Sequence, residues 1–253
     1  MKTSIYTEKY SPAIADQYYR DVRALIYKYY KNVSEQAVEA FLSTGDFAML
    51  TATELLARSG ITEVQLNKRI NDITTRFTLD VENQINGDLR AAYAVIKRPI
   101  PKEVIYTGYS KASKNLISQQ TQKIKGLLDY QYTKINEAVQ LVITENKGVS
   151  YLKKQLNEAG IYREKRIKLI THNQLNYATN IININKADEL GLEDATWRHP
   201  PKSFYKTHGR PSHIKADGKR FKLSRGCKID GEFIYPGQLP NCKCFYQLEI
   251  KGM

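Results

Sequence analysis

From Asp16 to Leu192 the apolar residues recur at helical spacing, and after Trp197 that spacing stops. A chain with this change of period cannot be one uniform bundle or one uniform sheet protein. In "DQYYRDVRALIYKYYKN" Tyr18, Val22, Leu25, Ile26 and Tyr29 fall on one stripe of a helix, a tyrosine-rich face suited to packing or to a half-buried protein contact. "STGDF", Ser43 to Phe47, interrupts the pattern. Beyond it Leu50, Leu55, Leu56, Val64, Leu66, Ile70, Ile73, Phe77, Leu79, Val81 and Ile85 are expected to continue in shorter helical pieces. Two prolines in "KRPIP" push their preceding residues out of the helical region, which predicts a boundary near Pro99 to Pro101.

The next stretch predicts one extended helix or two abutting ones, with Gly126 as the weak point. Ser150 fits a helix start, Gly160 a helix C-cap, and Gly191 the end of the helix before Trp197. Two helices joined at Gly160, the second bearing Arg163, Lys165, Arg166 and Lys168, read either as an ordinary helical hairpin or as a helix-turn-helix for the major groove. After Trp197 proline and glycine become frequent. Short runs such as "KRFKL", "GEFIYP" and "CKCFYQLEI", separated by "ADG", "IDG" and "LPN", predict strands and turns. The expected fold is therefore α+β: a mostly helical N-terminal body with a small β-rich C-terminal module. The expected regions are 1–98, 99–192 and 193–253.

Hydrophobic residues make up 42% of the 253, enough for a real core. No run reaches the ~20 apolar residues of a membrane span and the first residues lack a signal-peptide core, so a soluble protein made in a cytoplasm, with no membrane partner, is expected. The net charge of +13 points to an acidic partner. Residues 197–253 hold twelve Lys and Arg against four Asp and Glu, most of that excess. Contact with phosphate or an acidic protein face, or a solvated surface that keeps the module soluble, would each explain it.

All three cysteines lie in that same region. An odd count in an unsecreted chain speaks against a disulfide framework. His213, Cys227, Cys242 and Cys244 match the Cys3His set of a closed structural zinc site, with His208 or His199 as substitute ligands. A metal staple would compensate for the small core of so short a module. The competing reading is three packed thiols and a hydrogen-bonded histidine. Cys-x-Cys needs a turn before it to converge both sulfurs, and "LPN" is placed to supply one. A Walker loop, a Gly-x-Ser-x-Gly elbow and a His-Glu-x-x-His motif are all missing, and His213 with Asp217 is a weak nuclease pair, so enzymatic activity is not expected.

The ordered set Trp197, then Arg210 and His213, then Gly218 and Phe221, then Pro236 and Gly237, then Cys242 and Cys244, resembles the phage Mu F-like minor head protein family, also called phage head morphogenesis proteins. The resemblance runs from about Val139 to Cys244 and includes the helix start in "GVSYLKKQL". Where relatives often carry Arg-Thr-Glu, this chain has "ITHNQ", Ile170 to Gln174, and a role tied to that Arg and Glu does not carry over. The resemblance implies a low-copy minor capsid protein of a tailed phage, associated with the portal, the capsid or scaffold protein and the packaged DNA. It would act in head assembly or DNA delivery, residing in the virion and, during assembly, in the host cytoplasm. The candidate nucleic-acid contacts are Arg163, Lys165, Arg166, Lys219, Arg220, Lys222 and Arg225. The alternative function is a helix-turn-helix DNA-binding protein with a structural zinc module.

Overall fold

A computed structural model of the chain describes residues 3–7, 11–44, 54, 57–105, 111–200 and 209–251. The protein is α+β. Strand β1 (Thr3–Thr7) is followed by four long helices, α1 (Pro12–Thr44), α2 (Glu63–Val95), α3 (Lys111–Thr144) and α4 (Val149–Glu189). The remainder is β2 (Asp194–Arg198), the short helix α5 (Pro211–Lys215), β3 (Arg220–Lys222), β4 (Cys227–Ile229), β5 (Glu232–Ile234) and β6 (Phe245–Lys251).

Two compact units divide these elements, one of residues 16–76 and 117–171, the other of residues 1–15, 77–116 and 172–253. Because each long helix supplies residues to both, the units do not follow the sequential regions 1–98, 99–192 and 193–253. In the first unit the stripe of Tyr18, Val22, Leu25, Ile26 and Tyr29 is buried, as its period requires, together with Ile70, Ile124, Leu127, Ile135, Leu152, Leu156 and Ile167. Hydrogen bonds tie its segments: the Tyr18 hydroxyl donates to Gln120 at 3.3 Å and the Tyr30 hydroxyl donates to the Leu156 carbonyl.

Two helical expectations need correction. The pieces expected between Val64 and Ile85 form the single 33-residue helix α2, which ends at Val95 just before Lys97 takes a positive φ of 56°. The residues Leu50, Leu55 and Leu56 lie outside the described residues. Helix α4 runs unbroken for 41 residues through Gly160, so no turn forms there and no helix-turn-helix exists at this place. Leu152 and Leu156 before the glycine and Ile167 after it are all buried, and that packing outweighs the ~1 kcal/mol a mid-helix glycine costs. Gly126 likewise sits inside α3 without a break.

In the second unit, Phe77, Val81, Ile85 and Leu89 of α2 and Leu175, Ala178 and Ile182 of α4 are buried. So are the inward residues of a four-stranded antiparallel sheet ordered β1-β6-β2-β3. Strand alternation sets which those are: Ala195 and Trp197 on β2, Phe221 on β3, and Tyr246, Leu248 and Ile250 on β6. Strand β1 pairs with β6 from Thr3 opposite Lys251 to Thr7 opposite Gln247. Strands β4 and β5 form a separate hairpin whose turn, Asp230 and Gly231, has φ of 52° and 87°, the two positive values a tight primed turn needs. A buried ion pair lies among the helices of this unit: Lys186 Nζ is 3.3 Å from Glu82 Oε1, and Ser113 Oγ donates to Glu82 Oε2 at 2.9 Å. No described helix is long and apolar enough to cross a membrane.

Candidate metal centre

Three side chains from two local structures meet inside the C-terminal module. Arg210 precedes α5 with extended dihedrals, Pro211 opens the helix, and this single turn carries His213 inward, where it is buried. Gly218, at φ 79°, then donates its N–H to the Trp197 carbonyl at 2.9 Å and returns the chain to β2. The second local structure is the loop before β6. Asn241 takes a φ of 59°, and the Cys242 N–H donates to the Leu239 carbonyl at 3.0 Å. This is the turn that "LPN" was placed to supply, and it directs Cys242 and Cys244 to the same side as His213.

The ligand atoms of His213, Cys242 and Cys244 all lie within 4.8 Å of one another, and all three residues are buried. The Cys242 sulfur is 3.4 Å and the Cys244 sulfur 3.7 Å from His213 Nδ1. A tetrahedral ion with Zn–S near ~2.3 Å and Zn–N near ~2.0–2.1 Å sets sulfur and nitrogen about 3.6 Å apart. The group is therefore already spaced as such an ion would hold it and could hold a metal ion. A hydrogen bond between the two sulfurs favours ionising Cys242 over Cys244. Cys242 is lowered to about 5, first by the hydrogen bond that the Cys244 thiol donates to it, against its burial. Cys244 is raised, by that same bond and then by burial. The shift favours the thiolate at Cys242, and the thiolate is the form that binds metals.

The surrounding shell holds this geometry. The edge of Trp197, fully buried, stands at 90° to the His213 ring with centroids 5.3 Å apart. Its indole N–H, which has no nitrogen or oxygen acceptor among the described residues, faces the Cys244 sulfur and works against the rise in its pKa. Phe221 packs between Trp197 and Tyr246, 6.5 Å from each. Arg210 Nη2 donates to the Pro240 carbonyl at 2.9 Å, joining the histidine turn to the cysteine loop. Gly237 has a φ of 76°, and a Cβ there would sit 2.7 Å from Asn180 Nδ2.

Asparagines on α4, which the sequence reading passed over, anchor the loop by its main chain. Asn173 Oδ1 accepts the Asn241 N–H at 2.9 Å, Asn176 Nδ2 donates to the Cys242 carbonyl at 3.0 Å, and Asn180 donates to the Pro236 carbonyl. Their spacing of three and four residues puts them on one helical face. That periodicity of polar residues in "HNQLNYATN" was the available signal.

Cys227 departs from the expected ligand set. It lies on β4 opposite Ile234, in the separate hairpin, and is not among the three grouped ligands. It is fully buried, and burial raises its thiol pKa. His199 is half-buried beside Gly209, its backbone N–H donating to Asp217 at 2.9 Å, and it too is outside the group. His208 lies outside the described residues.

The basic residues take separate roles. Of Arg163 only the helical backbone is described. Lys165 is exposed on α4, and Arg166 lies over the Tyr130 ring at 4.2 Å. Lys222 is held by Glu193 at 3.0 Å and Asp194 at 3.1 Å, which offsets its charge. Arg220 is exposed, Lys219 donates to the Lys228 carbonyl at 2.9 Å, and Arg225 lies over Phe233 at 4.5 Å. Compared with known proteins, the chain matches no family model, no curated protein and no solved structure.

Proposed function

We propose that the protein is a minor structural protein of a tailed-phage head, present in few copies near the portal and the capsid interior, and acting in head assembly or DNA delivery. Its C-terminal module is stapled by zinc, and its role is architectural, not catalytic. One observation carries the reading. The residues of the ordered motif are those that build one buried centre: His213, Cys242 and Cys244 as donors, Trp197 and Phe221 packed around them, Arg210 joining the two loops, and Gly218, Pro236 and Gly237 at the turns. A motif whose members converge in space supports the family resemblance more strongly than the same letters scattered over a surface.

Two thiolate donors and one imidazole suit zinc, which accepts such soft and borderline ligands without a redox change. The ion would tie the turn bearing His213 to the loop bearing the cysteines. The module's excess of Lys and Arg favours DNA by phosphate attraction without base reading. Portal, capsid and scaffold proteins are the proposed partners of the helical remainder.

Mass spectrometry of purified heads and proheads from the encoding phage tests the assignment. Detection at a few copies per particle with the portal supports it, and absence from both particles overturns it. Metal analysis of the purified full chain tests the staple: about one zinc per chain is expected, and a folded module with none ends that part of the proposal.

A further inference from the structure

The β4–β5 hairpin presents a surface that the metal centre does not use. Its register sets Lys228 directly opposite Phe233, so the two share one face, opposite to that of Cys227 and Ile234, which are buried. Phe233 is 44% exposed although it is aromatic. The Arg225 guanidinium lies over its ring at 4.5 Å, and Lys219 Nζ reaches the Lys228 carbonyl at 2.9 Å. One cation therefore lies over the solvent-facing ring, a second shares its face of the hairpin, and a third is held at the main chain of that second residue. The neighbouring acids, Asp230 and Glu232, sit at the turn end of the hairpin.

Each class of acidic partner would use this face differently. An acidic polypeptide would engage the cations and gain little from the ring. Duplex DNA offers phosphates but keeps its bases stacked on one another. A single strand offers both phosphates for the lysines and free base faces for a flat aromatic platform. We propose that this hairpin face binds single-stranded nucleic acid, with a base stacked against Phe233 and Arg225 and the flanking phosphates on Lys228 and Lys219. The inference rests on the proposed contact between this module and DNA, and adds to it the strand form and the residues.

The test uses the full chain and fluorescence anisotropy with oligothymidine of about 20 nucleotides, longer than a single site needs. A duplex of the same length and a polyglutamate competitor complete the set. Phe233→Ala should weaken oligothymidine binding about 5- to 150-fold, the range for one stacked base, and leave duplex binding unchanged. Phe233→Trp should retain or tighten it. Lys228→Ala should weaken both nucleic acids and lower the salt slope for the single strand by about 0.7. If neither nucleic acid binds, the DNA contact itself is wrong. If both bind and neither Phe233 variant changes anything, the hairpin assignment falls while the DNA contact stands. Polyglutamate that displaces oligothymidine charge for charge, with Phe233→Ala silent, would make the face a site for an acidic protein instead.

Discussion

Cys227 and Cys244 are both buried thiols in the same module, yet their replacement by serine should give opposite metal behaviour. Cys244 lies 3.7 Å from His213 Nδ1 and belongs to the grouped ligands, whereas Cys227 faces Ile234 on the hairpin. With free zinc at a thousand times its Kd, the bound ion adds about 4 kcal/mol to the folded module. Cys244→Ser removes one of three described donors, so this increment should disappear and a chelator should have no further effect. Cys227→Ser places an unpaired hydroxyl in an apolar site and should cost about 1–3 kcal/mol, while the chelator still removes a further ~4 kcal/mol. Hydrogen exchange of the β2 and β6 amides reads the module directly, without requiring the whole chain to unfold in one step. Metal analysis gives the stoichiometry. Loss of metal from Cys227→Ser, or chelator sensitivity persisting in Cys244→Ser, would refute the three-donor centre.

Because Cys242 is lowered to about 5, it favours the folded module above the ordinary thiol range and loses that advantage as pH falls through about 5. Cys244, being raised, acts in the opposite direction, favouring the fold below the ordinary range. Metal added near pH 8 should therefore expel about one proton from the sulfur pair, measured as buffer-dependent heat of binding; two protons would show that Cys242 is still a thiol at that pH. Lys186→Met should destabilise by about 3–5 kcal/mol by stranding the buried Glu82, and Glu82→Leu with Lys186→Met should recover most of it in urea titrations. Gly237→Ala should cost about 2–3 kcal/mol, from a side chain at φ 76° and disturbance of the Asn180 bond, seen as faster exchange at β6. Gly126→Ala, with open space around the added Cβ, should stabilise α3 by about 0.5–1 kcal/mol; a loss would mean that the helix bends there.

The parts that were readable before the structure are those decided by local period or local turn chemistry. The Tyr18 to Tyr29 stripe, the stop near Pro99, the short strands after Trp197 and the turn before Cys242 all belong to this class. Gly160 misled because a glycine's preference is worth ~1 kcal/mol, and buried neighbours on both sides of it override that amount. Strand β1 is hard to read because its only partner among the described residues is β6, far along the chain, although "TSIYT" has the β-branched and aromatic content of a strand. Spacing along a chain says nothing about which hairpin a strand joins, so it groups Cys227 with donors that it does not meet. His213, Cys242 and Cys244 were legible as donors from their chemistry. The asparagine contacts from α4 that hold the cysteine loop are encoded by no cysteine or histidine pattern.

Those asparagines bind peptide groups, not side chains: the N–H of Asn241, the carbonyl of Cys242 and the carbonyl of Pro236. Main-chain recognition of this kind fixes the loop's path without reading the side chains at the bonded positions. Evolution can thus repaint the outer skin of this loop for a new neighbour without re-engineering the donors beneath it.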